Sequence, residues 1–372
     1  MFEPLGDPVL VERVREVVAK TLPAAACDAI DRENRYPVDE LRDLAREGFA
    51  TLYLPAHYGG AARPLADTVA VLEEVSRASG AAGASLITSF LAQTSIALYG
   101  TAAAKQAYLR QFGDGLAASF AMTEAAHGSD VRHLDTHARL LGDQWVIDGA
   151  KAYVTSASAA ELFVILAETP VGVSSFIVPR DAPGAEVELS SAATTFGLRN
   201  GPHLTLRLTS ATIPKDHLLG IEGKGIKQAA ICLDHSRVLA AAISLGIARA
   251  AIEGALAFAR ARKVGDQHVS DLQGIQWYFA DLVTETEAAR HLTYAAARAV
   301  DRGEDLARLP AQAKLLASRV AVDAASKAIQ ICGAQGMLES MPFGRYLRDA
   351  KAYEIAGGSS EILKNTIAEH LD

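Results

Sequence analysis

The stretch FAMTEAAHGSD at residues 120–130 decides the fold, because a helical sequence pattern gives way to strands there. Five strand-like runs follow one another in this part of the chain, at 116–122, 138–147, 162–166, 174–178 and 203–208. Gly142-Asp143 and Asp148-Gly149 supply turn signals between them. The run HLTLRLT alternates apolar and polar residues, as a half-buried strand does. These patterns predict a small antiparallel barrel or sandwich.

Helical patterns flank these strands on both sides. Before them, an apolar stripe at helical spacing covers 65–75, and Thr101 is placed to cap a helix over 101–111. After them, long helical patterns cover 226–262, 275–302 and 310–331, which predicts a helical bundle. We therefore expect three domains, with helices over 1–114, strands over 115–215 and helices over 216–372.

Composition argues against several classes of function. The 372 residues carry a formal net charge of -8, so nucleic acid is not the expected partner. The sequence contains no run of about 18 apolar residues, so we expect no membrane span. The N-terminus lacks the pattern of a secretory signal. Cys27, Cys232 and Cys332 are far apart in the sequence, which indicates reduced core thiols and a cytoplasmic protein.

Residues 120–130 resemble the signature F-A-L-T-E-P-x-A-G-S-D of acyl-CoA dehydrogenases, with Ala125 and His127 as departures. Five more stretches resemble motifs of that family in the family's order: GFATLYLPAHYGG (48–60), KAYVTSA (151–157), FGLRNGPHLTLRLTSATIPKDHLLGIEGKG (196–225), RKVGDQHVSDLQ (262–273) and QICGAQGMLESMPFGRYLRDA (330–350). The resemblance covers nearly the whole chain. It implies an α+β fold with an N-terminal helical domain, a middle antiparallel β-barrel domain and a C-terminal four-helix bundle.

The resemblance also implies FAD as the cofactor and suggests which residues contact it. In this family an aromatic residue covers one flavin face, and an arginine reaches the FAD pyrophosphate across a subunit interface, which implies a homodimer or homotetramer. The matching cofactor positions are Met122, Thr123, Ser129, Tyr153, Thr155, Arg262, Gln273, Gln330, Gly333, Ser359 and Glu361. Asp234 and Arg237 match residues that line the acyl-thioester pocket, while Gly265 and Asp266 replace a Phe-Gly pair.

The family's catalytic base is missing from both of its usual positions. Acyl-CoA dehydrogenases remove a weakly acidic proton alpha to the thioester carbonyl, which takes a positioned carboxylate. Most members carry this glutamate in a Y-E-I-Y-E-G-T-S-E-I stretch, whereas YEIAGGSSEI at 353–362 places Gly357 there. Other members carry it in an L-D-x-E-R stretch, where this chain has Ser236. The sequence therefore leaves the catalytic base unassigned.

Other side chains are weaker candidates for chemistry. Glu354 matches the ordinary glutamate that precedes the active stretch, and His235 is a lone helical histidine of a kind more often packed than catalytic. Possible metal ligands cluster at His127, Asp130, His133, Asp135 and His137. Because these positions overlap the flavin signature and the loop after it, we expect no metal.

The missing glutamate favours an FAD-dependent oxidation that needs no alpha-proton removal, such as oxidation of a C–OH carbon. This resembles the dehydrogenases that make hydroxymalonyl-acyl carrier protein, a polyketide extender unit, so we expect a small hydroxyacyl group on an acyl carrier protein. The alternatives are α,β-dehydrogenation of a short acyl-CoA with a displaced base, a flavin-dependent monooxygenase on the same fold, and a non-catalytic scaffold. The retained flavin positions argue against the scaffold. The sequence does not indicate the electron acceptor.

Overall fold

The computed structural model describes residues 1–304 and 307–371 and has the predicted order of helices, strands and helices. The N-terminal helices are α1 (Pro8–Thr21), α2 (Ala24–Glu33), α3 (Val38–Arg46), α4 (Leu65–Ala78), α5 (Gly80–Tyr99) and α6 (Ala102–Tyr108). The predicted cap of α6 is confirmed, since the backbone amide of Ala104 donates to Thr101 Oγ1 at 3.1 Å. Ser79 caps α5 in the same way, through the amide of Ala82.

The middle of the chain forms one open sheet. Its strands are β1 (Ala118–Ala121), β2 (His137–Leu141), β3 (Gln144–Val154), β4 (Leu162–Thr169), β5 (Gly172–Pro179), β6 (Ala185–Ala193), β7 (His203–Pro214) and β8 (Leu218–Leu219). The strand order is β6-β7-β3-β2-β4-β5-β8, and β1 lies parallel beside β4. The predicted closed barrel is wrong for the described residues, because the two-residue β8 at one edge is too short to pair with β6 at the other.

Two details of the strands differ from the sequence patterns. The hairpin between β2 and β3 turns at Gly142-Asp143 as predicted, but β3 continues through Asp148-Gly149 to Val154. A bulge and a φ of +145° at Gly149 let the strand pass this point. Strand β6 has no apolar run, since its side chains are half-buried or exposed, and the sequence analysis missed it.

Long helices form the C-terminal part. They are α7 (Gly225–Ala261), α8 (Gln273–Asp301), α9 (Arg308–Cys332), α10 (Phe343–Ala352) and α11 (Ser360–Ala368), with the short strands β9 (Lys263–Val264) and β10 (Gln267–His268) after α7. Helices α7, α8 and α9 pack on one another, and α10 completes the predicted bundle against α7 and α9. Helix α4 also packs closely on α7, where a Cβ at Gly246 would lie 2.4 Å from the Glu73 carbonyl oxygen.

A buried ion-pair network joins the N-terminal helices to this bundle. Glu73 on α4 is 1% exposed and accepts hydrogen bonds at 2.8 Å from both Arg249 on α7 and Arg290 on α8. The neighbouring Glu74 accepts from Arg249 at 2.9 Å. Both guanidinium groups lie over the ring of Phe2. Because a buried charge without its partner is costly, this network fixes how α4 sits on the bundle.

Two helices, α5 and α7, are long and apolar enough to cross a membrane, judged by length and composition alone. Their apolar stretches are 67% and 89% buried inside the structure. Burial of this extent is what core helices of a folded domain show. Helix α7, for instance, is covered by α4, α8 and α9.

Replacing Glu73 with glutamine should lower the free energy of unfolding by about 3 kcal/mol, because Arg249 and Arg290 would stay buried and charged. Urea unfolding followed by circular dichroism measures this loss. The matched control is Glu47→Gln, which removes an exposed partner of Arg13 and should cost no more than about 1 kcal/mol. A loss at Glu73 no larger than the control's would contradict the role of the network.

Candidate functional site

The end of β1 and the end of β3 form one wall of the candidate site. The backbone amide of Ala152 donates to the Thr123 carbonyl at 2.9 Å. Ser119 Oγ donates to the Thr155 carbonyl at 2.7 Å. These bonds bring two stretches that are about thirty residues apart in sequence to one strand end. The two threonines predicted to face the flavin therefore share one surface.

A buried ion pair holds this wall together. Glu124 and Lys151 are 3% and 0% exposed, and Lys151 Nζ donates to the Glu124 carboxylate. The same carboxylate accepts from the backbone amides of Asp135 and Thr136. Burial pushes the pKa of Glu124 upward, but the bonds from Lys151 and the loop outweigh it, so this pKa lies below its usual value. Glu124 stays ionised and fixes the loop that follows the first signature.

Tyr153 adopts a conformation that suits a ligand surface. Its φ is +54° and its side chain is 65% exposed, although Val154 beside it is buried. Such backbone strain costs roughly 1 to 3 kcal/mol and persists where function requires it. Met122 is half-buried and Ser129 is exposed at the same strand end. An open aromatic ring beside two threonines fits one face of a planar group such as a flavin.

The possible metal ligands of the loop after β1 contact one another or nearby groups of the protein. Among the described residues, Glu124, His127 and Asp135 have ligand atoms within 4.8 Å of one another. Glu124, however, already accepts from a lysine ammonium and two backbone amides, and the ammonium would repel a metal cation. His133 Nδ1 is bonded instead to Asp130 at 2.7 Å. The geometry favours a charged loop over a metal centre.

The predicted thioester residues lie on α7, next to a C-terminal turn. Arg237 Nη1 donates to Asp234 one helical turn earlier, at 2.7 Å. Gly357 and Gly358 have φ values of +72° and +100°, and a Cβ on Gly357 would meet nothing within 4 Å. Arg237 Nη2 lies 3.9 Å from where a Cβ of Gly358 would be. The position of the missing base is therefore an open turn shaped for glycine, with an arginine beside it.

Lys314 on α9 supports this turn. Its side chain is fully buried, and Nζ donates to the Gly358 carbonyl at 2.7 Å. Burial and then repulsion from Arg237 lower the pKa of Lys314 to about 8, against the attraction of Glu354 and Glu361. The lysine anchors the backbone of the glycine turn and places a second cation close to Arg237.

Glu354 faces a different surface from Arg237. Its carboxylate pairs with Lys351 and lines a cleft of about 770 Å³, whose described walls come from α8 to α11 and the segment before α11. Ser359 and Glu361 line the same cleft, and Ser359 caps α11. Glu354 and the predicted FAD contacts Ser359 and Glu361 therefore line one cleft.

The other conceivable bases lie on α7. Ser236 is buried. His235 is half-buried, and its Nδ1 is bonded to the Ile231 carbonyl at 2.9 Å. A carbonyl partner requires a proton on Nδ1, so the neutral ring has Nε2 as its proton acceptor. Neither residue supplies the carboxylate that removal of an alpha proton needs.

The remaining predicted cofactor residues lie at the other end of α7. Arg262, Gln273, Gln330 and Gly333 come together where α7 ends, α8 begins and α9 ends. All four are exposed, and Gly333 has a φ of +58° with open space around it. Arg262 is 28 residues beyond Asp234, which is about 40 Å along the helix axis. The predicted cofactor contacts therefore lie in three places within one chain: the wall of β1 and β3, the far end of α7, and the cleft that Ser359 and Glu361 line.

The sequence analysis missed the buried charges. The available signal for Lys314 is its position as a charged residue on the alanine-rich buried face of α9. Glu124 and Lys151 lie inside recognised motifs, yet nothing in the sequence pairs them. Asp349, also in a motif, accepts from the Leu198 amide at 2.7 Å and so ties the loop between β6 and β7 to α10. Burial raises the pKa of Asp349 to about 6.

Replacing Glu124 with glutamine should cost about 3 kcal/mol of unfolding free energy, since Lys151 would be left buried without a counter-ion. Urea unfolding tests this, with Glu188→Gln at the sheet edge as the control, because its partner Arg207 is exposed. The double variant Glu124→Gln, Lys151→Met should recover part of the loss, because no unpaired charge remains. A double variant as unstable as the sum of the single variants would argue against the pairing.

The stability of the protein should rise with pH above about 8 because of Lys314. Its pKa is about 8 when folded and 10.5 in the unfolded reference, so between these values the unfolded state binds more protons. Relative to Lys314→Met, the wild type should therefore gain up to about 3 kcal/mol across this range. Urea unfolding of both proteins in steps from about pH 7 to 10 measures the difference. A pH-independent difference would contradict a charged, buried Lys314.

Comparison with known proteins identifies the family. Models of the acyl-CoA dehydrogenase N-terminal, middle and C-terminal domains match residues 8–115, 119–211 and 223–371. The chain is 34% identical to YngJ of Bacillus subtilis, a probable acyl-CoA dehydrogenase, over 100% of this chain and 99% of that protein. It is also 34% identical to the human mitochondrial short-chain specific acyl-CoA dehydrogenase, over 99% of this chain and 90% of that protein.

Solved structures share the whole architecture. A glutaryl-coenzyme A dehydrogenase in complex with glutaryl-CoA has a TM-score of 0.92 and 30% identity, over 99% of this chain and 96% of that chain. The prolyl acyl carrier protein oxidase AnaB has a TM-score of 0.92 and 25% identity, over 98% of this chain and 99% of that chain. The chain therefore belongs to the acyl-CoA dehydrogenase family, and it is an FAD-dependent oxidoreductase.

Proposed function

We propose that this enzyme oxidises the carbinol carbon of a small hydroxyacyl thioester held on an acyl carrier protein, as in hydroxymalonyl-type polyketide extender units. The observation that carries the proposal is the turn at Gly357 and Gly358. Two successive positive φ values disfavour any side chain at the family's usual base position. The alternative position holds the buried Ser236. Both places for a carboxylate base are thus occupied by residues without one.

Alcohol oxidation suits a site that lacks a carboxylate base. Bound FAD supplies the oxidant, accepting the hydride that leaves the carbinol carbon. The hydroxyl proton needs only a weak acceptor, for which water or Nε2 of His235 suffices. The product is an aldehyde, and its hydrate would give the carboxylate of a hydroxymalonyl group in a second two-electron oxidation, once an external electron acceptor has reoxidised the FAD. Neither step removes an alpha proton.

The wall formed by β1 and β3 has the side chains that such a reaction requires for orientation. Thr123 and Thr155 would bond the polar edge of the flavin, and Tyr153 would cover one of its faces. Arg237 and Asp234 would lie on the thioester side, along α7. The ion pair of Glu124 with Lys151 keeps the two strand ends in register. These residues would hold the reacting carbon close to the flavin.

The carrier is also part of the proposal. AnaB, at 25% identity, is named as an oxidase of a prolyl acyl carrier protein, which supports carrier-bound substrates for this architecture. The names of YngJ and the human relative favour the alternative, α,β-dehydrogenation of an acyl-CoA. That alternative needs a base, and Glu354 is engaged by Lys351 in the cleft between α9 and α11.

We further propose that the enzyme works as a homodimer or homotetramer. Arg262, at the end of α7, lies about 40 Å along the helix axis from Asp234 at the predicted thioester position, so Arg262 and its exposed neighbours lie far from this chain's own substrate residues. Those exposed residues would therefore contact the FAD of a neighbouring subunit. Each complete cofactor site would then need two copies of the chain.

The isotope dependence of flavin reduction tests the proposed reaction. The substrate is a 3-hydroxypropionyl group on an acyl carrier protein, labelled with deuterium either at the carbinol carbon or at the alpha carbon. We expect a several-fold slower reduction with carbinol deuterium and no effect of alpha deuterium, because no alpha C–H bond breaks. Stopped-flow absorbance under anaerobic conditions measures both rates. Slowing by alpha deuterium would instead establish α,β-dehydrogenation.

A further inference from the structure

The guanidinium of Arg237 has one edge available beside the glycine turn. Its Nη1 is engaged by Asp234, and its Nε is buried without a hydrogen-bond partner in the described parts of the chain. Nη2, which shares an edge of the planar group with Nε, points toward Gly358. Nε and Nη2 present two parallel N–H donors, the fork that binds a carboxylate in bidentate fashion. The side chain is 12% exposed and its Nε is buried, so a carboxylate bound to this edge would itself be largely withdrawn from water.

The cations at this turn outnumber the carboxylates that form ion pairs with them. Lys314 is fully buried and bonds only a carbonyl oxygen, and within residues 1–304 and 307–371 no carboxylate lies at ion-pair distance from it. Glu354, on the same segment of chain, is paired with Lys351. A buried cation without a counter-ion is costly unless a ligand supplies the missing charge. The side chain that would carry that charge at position 357 is absent, and open space stands in its place.

We propose that the Nε–Nη2 edge of Arg237 binds a carboxylate on the acyl group, in the space beside Gly357. The ligand class is an acidic acyl thioester in which the carboxylate is one carbon removed from the thioester carbonyl. This inference deepens the proposed function and rests on its assignment of an acyl thioester, since the hydroxymalonyl group that the proposed oxidation produces carries such a carboxylate. Lys314 is a positioning residue, which holds the Gly358 carbonyl and adds its charge to the site.

Calorimetric binding of two matched, non-oxidisable ligands to the FAD-loaded enzyme tests the inference. Malonyl-pantetheine carries the carboxylate, and malonamyl-pantetheine replaces it with a neutral amide of nearly the same shape. We expect the wild type to bind the malonyl ligand at least about tenfold more tightly. Arg237→Lys keeps the charge but removes the forked edge, and should lose most of this preference. Equal binding of the two ligands by the wild type would overturn the proposal.

A matched pair of variants at position 357 keeps the test independent of Arg237. Gly357→Glu places a carboxylate in the same space and should abolish the preference for malonyl. Gly357→Gln carries the same backbone strain and nearly the same volume without charge, and should retain the preference. Equal effects of the two variants would overturn the proposal. The two experiments can fail separately. A preference for the malonyl ligand without a carbinol isotope effect would contradict the proposed reaction but leave the anion site in place. A carbinol isotope effect without that preference would contradict only the anion site.

Discussion

The buried ion pair between Glu124 and Lys151 is the interaction on which the rest of the candidate site depends. It joins the end of β1 to the middle of β3, and the same carboxylate holds the loop at Asp135 and Thr136. Together with the bonds from the Ala152 amide to Thr123 and from Ser119 to Thr155, it fixes the relation between the two motifs that carry the predicted flavin contacts. The network around Glu73 likewise joins α4 to α7 and α8. Buried charges therefore connect the strands of the candidate site and also connect α4 to the bundle.

The chemistry of the site is constrained by backbone as much as by side chains. Gly357 and Gly358 form a turn with positive φ, so the absence of a glutamate there coincides with a local conformation that favours glycine. Arg237 and Lys314 remain around this turn with their positive charge. A site that has lost its own carboxylate but kept its cations suits an acyl group that gains a carboxylate during the reaction, and a reaction in which no alpha proton is removed.

The sequence predicts which segments form helices and strands better than it predicts whether the sheet closes into a barrel. Long apolar periodicities predict α7, α8 and α9 well, and the alternating run at 203–208 predicts the core of β7. Strand β6 lacks an apolar run and was missed. Whether the sheet closes depends on edge pairing between distant strands, so the barrel was predicted wrongly. The motifs identify Thr123, Tyr153 and Arg237. The separation of the predicted cofactor residues in space and the role of Lys314 depend on tertiary contacts, which a single sequence does not contain.

The most direct test of the central claim is anaerobic bleaching of the bound flavin by two substrates, butyryl-CoA and a glyceryl group on an acyl carrier protein. The first requires removal of an alpha proton and the second offers a carbinol carbon. The account predicts that the glyceryl group bleaches the flavin and that butyryl-CoA leaves its absorbance unchanged. Rapid bleaching by butyryl-CoA would contradict the account and would show that a base acts from a position other than 357 or 236.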